Sequence, residues 1–148
     1  MMPSSAAALS DEAAVTARSG DAARAAFLYN RALAAAPRDA SVLNSAGTFF
    51  SQRGERAHAI TLFERAVAAD PQAAEPLLNL AILLTGAGRA REAVDLLQPR
   101  QGQLDGLARY WSVRANAERS SGDKRAGLAS FRRAAELDSS NPLSLIHI

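Results

Sequence analysis

Apolar and polar residues alternate along this chain with a helical period. In GERAHAITLFERAVAADP, residues 54–71, Ala59, Phe63 and Ala66 recur at spacings of four and three with charged residues between them. That is one amphipathic helix, opened after a glycine and closed before a proline. The arrangement returns upstream as GDAARAAFLYNRALAAAP and downstream as GDKRAGLASFRRAAELDS. Gly20, Gly54, Gly88 and Gly122 stand 34 residues apart without insertion or deletion. Other columns follow that register: Ala25, Ala59, Ala93 and Gly127; Tyr29, Phe63, Leu97 and Phe131; Ala13, Gly47, Ala81 and Ala115; Leu9, Leu43, Leu77 and Trp111; and Pro37 with Pro71.

The pattern predicts pairs of antiparallel helices, A then B. A glycine just past helix A takes a left-handed conformation without steric penalty and ends that helix. Asp21, Glu55 and Asp123 follow three of the glycines and complement the dipole at the start of helix B, whereas Arg89 breaks that rule. Small residues in mid-A and in B let the two helices approach, and the aromatic or leucine on B fills the remaining space. Pro37 and Pro71 cannot continue helix B. All of these columns are assigned to core packing. Composition agrees with an all-α fold: alanine dominates, and only 5% of residues are aromatic.

The columns resemble the tetratricopeptide repeat, with its W-x2-L-G-x2-Y, A-x3-F and P signature on a 34-residue period. The second copy fits best, through Leu43, Ala46, Gly47, Phe50, Ala59, Phe63 and Pro71. The third holds Leu77, Leu80, Ala81, Leu84, Ala93 and Leu97, and the fourth Trp111, Ala115 and Phe131. The first is degenerate, with Glu12 and Thr16 at apolar positions. The resemblance implies a right-handed α-solenoid of about four helix-turn-helix units: 6–39, 40–73, 74–107 and 108–141, after a flexible stretch 1–5.

Three departures stand out. Pro99 interrupts helix B of the third copy, which predicts a short helix from about Arg89 to Gln98 and then a loop. Arg114 and Glu118 occupy apolar columns of the fourth copy, four residues apart, where they can pair near an end without a covering neighbour. The tail 142–148 breaks the composition of everything before it. Its Leu-Ser-Leu-Ile-His-Ile resembles the translation of a transposase end sequence used in library preparation. It is expected to be a non-native, adaptor-derived scar on an N-terminal fragment of a longer protein.

Charge and chemistry narrow the function. The net charge is +2, and sixteen of the 17 basic residues are arginine, in keeping with a high-GC, bacterial-type coding bias. By copy the formal charges run 0, 0, −1 and +3. With no cysteine there is no disulfide, thiolate metal site or thiol nucleophile, which fits a reducing compartment. The sequence shows neither a signal peptide nor a run of apolar residues of membrane-spanning length, so a cytoplasmic location is expected. His58 and His147 are isolated, and no HExxH, GxxxxGK[ST] or GxSxG motif occurs. No catalytic residue, cofactor or metal is expected.

In the family, helix A positions 2, 5, 9 and 12 line a concave groove. The resemblance thus implies a partner-binding set of Asn44 and Thr48, Glu75, Leu78 and Ile82, and Arg109, Ser112, Asn116 and Arg119, joined by Asn79. Leu78 and Ile82 would receive an apolar side chain, and Arg109 and Arg119 an acidic group. Compared with the repeats that clamp a terminal carboxylate, Asn79 matches and Arg109 is a basic substitute, while Asn44, Thr48 and Val113 fail, so the chain is not read as a carboxylate clamp. The expected function is a protein-interaction scaffold for a protein or peptide partner. The alternative is a recruiting module of a larger enzyme: a sulfotransferase, glycosyltransferase or 2-oxoglutarate-dependent oxygenase. Nucleic acid is disfavoured by the small net charge and the absence of interleaved aromatics. Self-association through the exposed end of the fourth copy is expected.

Overall fold

The glycine register becomes helix pairs. A computed structural model describes residues 5–139, so the tail at 142–148 lies outside the described residues, as does most of the N-terminal stretch. The helices are α1 (Ala6–Arg18), α2 (Ala22–Ala35), α3 (Ala40–Gln52), α4 (Arg56–Ala69), α5 (Ala74–Gly86), α6 (Ala90–Leu97), α7 (Gln101–Leu104), α8 (Ala108–Ser120) and α9 (Lys124–Ser139). No strand occurs among the described residues, and none of their helices is long and apolar enough to cross a membrane. The helices fall into two compact units that divide in sequence between Pro76 and Leu77.

In the first unit, α1 packs on α2 and α3 on α4. Asp21 caps α2 by accepting a hydrogen bond from the Arg24 amide at 3.0 Å, and Asp39 caps α3 through the Ser41 and Val42 amides. Glu55 makes no such side-chain cap on α4. Helices α2 and α4 stop at Ala35 and Ala69, two residues ahead of Pro37 and Pro71. Leu28, Leu43, Phe50 and Phe63 are buried between the helices. A Cβ built on Gly47 would lie 2.7 Å from the Phe63 ring, so the B-helix aromatic fills the space that the missing side chain leaves.

In the second unit, α8 packs on α9 and α6 on α8. Here a Cβ on Gly127 would come within 3.1 Å of the Ala115 carbonyl oxygen, so the two small columns face each other directly. Beyond about Gln98 the sequence predicts a loop; the α-helix instead ends at Leu97, and the chain forms a 3-10 turn, Gln98–Arg100, and then α7. Proline lacks an amide hydrogen but is tolerated in the first positions of a helical turn, where no intrahelical partner is required. Phe131, expected in the core, is 37% exposed.

The four register glycines have φ of +98°, +81°, +81° and +99°. Two glycines of the second copy separate conformational from steric demands. Gly54 is left-handed in open space, while Gly47 is helical with no room for a methyl group. Gly54→Ala should cost about 1 kcal/mol through backbone strain alone. Gly47→Ala should cost about 1–3 kcal/mol through overpacking. Urea denaturation of both variants, with Phe63→Leu added to each, checks the distinction: the smaller side chain should recover stability only in the Gly47 background.

Candidate functional site

The expected groove residues divide between the two units, and the structure treats them unequally. In the first unit, Thr48 is exposed and its hydroxyl donates to the Asn44 carbonyl at 3.0 Å, while Asn44 is half-buried and Glu75 exposed. Thr48 borders a shallow cavity of about 360 Å³ with Arg18, Tyr29 and Gln52. Burial raises the Tyr29 phenol above its ordinary pKa, more than Arg18 lowers it.

In the second unit, Ile82 and Thr85 of α5 and Ser112, Asn116 and Arg119 of α8 line one concavity of about 530 Å³. Ile82 is 44% exposed, an apolar side chain open to the cavity. Leu78 is not: at 1% exposure it belongs to the interior, and its expected role as a groove contact is corrected. Leu77, Leu78, Leu80 and Leu84 are all buried, so the apolar surface of α5 is wider than the single stripe that helical spacing assigned to the core.

Two hydrogen bonds organise the polar rim. An Arg109 guanidinium nitrogen donates to Asn79 Oδ1 at 3.1 Å, tying α8 to α5. Arg119 donates to Asn116 Oδ1 at 3.3 Å within α8. Arg109 therefore already holds a partner. A guanidinium carries five N–H donors, so one bond to Asn116 leaves Arg119 able to engage a carboxylate.

A second cluster was only partly legible. Arg114 and Glu118, expected near an uncovered end, are almost wholly buried, and pair at 3.4 Å with 13% and 4% of their side chains exposed. Arg114 also donates to Gln101 Oε1 at 2.7 Å and to the Tyr110 hydroxyl at 3.1 Å. Tyr110 in turn donates to the Leu97 carbonyl at 2.7 Å, and Ser130 donates to Glu118. Burial raises the Tyr110 pKa above its ordinary value, against the lowering effect of Arg114. Trp111 donates its indole N–H to the Asp105 carbonyl at 2.8 Å and lies under the Arg114 guanidinium. These groups border a cavity of about 440 Å³. Because they bond one another, the cluster reads as a structural network rather than a reaction centre. His58 is exposed against the Phe50 ring. No group of acidic or histidine side chains that could hold a metal occurs among the described residues.

Comparison with known proteins follows the same lines. The tetratricopeptide repeat family model matches residues 50–117. No curated protein matches the sequence. Among solved structures, MamA from strain MSR-1 superposes with a TM-score of 0.78 at 22% identity, over 93% of this chain and 79% of that one. Residues 41 to the end of MamA from Desulfovibrio magneticus RS-1 superpose with a TM-score of 0.81 at 16% identity, over 97% and 81%. These likenesses are of fold.

The buried network makes a stability prediction. Glu118→Ala leaves the Arg114 charge buried without its partner and should cost about 3–5 kcal/mol. Replacing Arg114, Glu118 and Ser130 together by leucine removes the buried ion pair, and should be neutral or stabilising by about 1–4 kcal/mol. Urea midpoints of the single and triple variants check the pair.

Proposed function

We propose that this chain, whose residues 50–117 match the tetratricopeptide repeat family model, is a non-catalytic protein-interaction scaffold that holds an extended peptide between α5 and α8. The cysteine-free sequence suits the reducing cytoplasm as its place of work. The observation that carries the reading is the concavity of about 530 Å³ in which exposed Ile82 faces Ser112, Asn116 and Arg119. An apolar anchor surrounded by a few polar groups is the usual make-up of a specific binding site. Ile82 receives an aliphatic side chain of the peptide. Arg119 meets an acidic group a few residues along, and the Ser112 and Asn116 side chains bond its backbone. Arg109, held by Asn79, supports the rim.

Selection from a displayed library of random peptides tests this. Recovered sequences should combine an aliphatic residue with Asp or Glu. Ile82→Asp and Arg119→Glu should each weaken the recovered peptides by about tenfold or more, and Thr48→Ala in the other unit should leave binding unchanged. A library that yields no binder, or binders indifferent to both groove variants, would overturn the reading.

A further inference from the structure

The cavity of about 360 Å³ in the first unit gathers polar side chains that the fold leaves unused. It lies between α1 and α3 over α2, so its outline is set by packing within the unit. Ala14 and Ala17 of α1 are small, and the space they leave reaches Tyr29 of α2. Tyr29 is 3% exposed, its ring against Phe49 with centroids 5.1 Å apart. A buried tyrosine ordinarily finds a partner for its hydroxyl, as Tyr110 does in the Leu97 carbonyl. The Tyr29 hydroxyl makes no hydrogen bond among the described residues, and neither do the side chains of Arg18, Ser45 and Gln52 on the same cavity. The Thr48 hydroxyl beside them is already given to the Asn44 carbonyl.

We propose that this cavity is a carboxylate-binding site, with Arg18 paired to the carboxylate and the Tyr29 hydroxyl and Gln52 amide donating to it. The charged groups that act on the Tyr29 hydroxyl are Arg18 and Asp11, and the effect of Arg18 is the stronger, so the local field favours an anion. One guanidinium matches the single charge of one carboxylate, and its planar fork of N–H donors suits both oxygens. Arg18, Tyr29 and Gln52 stand outside the helix A positions 2, 5, 9 and 12 that line the family's groove, and none of them belongs to the concavity between α5 and α8. The carboxylate comes from an acidic side chain or from a chain terminus.

Titration of the full, isotope-labelled chain by NMR tests the site with three probes, each up to about 10 mM. N-acetylalanine carries a terminal carboxylate, N-acetylaspartate methylamide a side-chain carboxylate, and N-acetylalanine methylamide neither. At least one carboxylate probe should shift the Gln52 side-chain amide saturably, and the one that binds more tightly identifies the source; the neutral probe should leave it in place. Because the signal is read at Gln52, binding at Arg119 does not enter the result. Tyr29→Phe removes the hydroxyl alone and Arg18→Gln the charge alone, and each should weaken binding about threefold or more. The urea midpoint of Tyr29→Phe should not fall, since its hydroxyl holds no part of the fold. Absence of a saturable shift with either carboxylate, an equal shift with the neutral probe, or binding indifferent to both variants overturns the proposal. A lowered midpoint for Tyr29→Phe does so too, because the hydroxyl then serves the fold.

Discussion

The close approach of two antiparallel helices is the contact on which the rest depends. Paired helices sit about 8–10 Å apart, and the lower end of that range needs a small residue at the crossing. Gly47 against Phe63 and Gly127 against the Ala115 carbonyl meet this need in different ways, ring into gap in one pair and backbone on helix in the other. Once the pair is close, the connection between its helices must be tight. A glycine at positive φ reverses the chain with few residues and recurs every 34 residues, a register kept even where helix B of the third pair is replaced by α6, a 3-10 turn and α7. Remaining faces acquire their identity from what this contact leaves uncovered: within each unit one turns to the next pair, and another stays open to solvent.

The fourth repeat tests how far that scheme bends. Three columns that carry apolar residues in the second and third copies hold Arg114, Glu118 and Ser130, and the helix pair still closes. It closes because each of these three side chains has a partner. Desolvating a charge costs several kcal/mol, roughly offset when the counter-charge and further hydrogen bonds are in place. Part of that compensation comes from the irregular segment after Leu97. The turn at Pro99 delivers Gln101 to Arg114, and the end of α6 offers the Leu97 carbonyl to Tyr110. The break in helix B and the charges on α8 are one local solution.

Much of this was legible in the sequence. The four glycines, the small columns and the prolines gave helix order and lengths, since each encodes a backbone or packing demand that few other residues meet. What stayed hidden was three-dimensional. Pro99, Arg114 and Glu118 each stood out as departures, yet nothing in their spacing showed that they converge, because Gln101 reaches Arg114 across a change of helix. Leu78 misled because a groove position taken from a repeat register ignores side-chain size: a leucine beside other leucines joins the core, while Ile82, one turn on, remains open. Phe131 misled in the opposite direction, since its column is buried only where another helix covers it.

Residue type and binding capacity also part company in the groove. Asn79 and Arg109 are the two positions that match, or nearly match, a carboxylate clamp, and they bond each other. A ligand carboxylate would have to displace the Asn79 oxygen or share Arg109 with it, and gains only the difference between two hydrogen bonds of similar kind. Arg119 is placed otherwise. Its one bond goes to Asn116 on its own helix, so a ligand can add to that arrangement without breaking a tie between helices. In the proposed binding mode, selectivity would therefore rest on Ile82 and Arg119, the side chains whose interaction surface the fold has not already used, and less on the residues that fit a family motif.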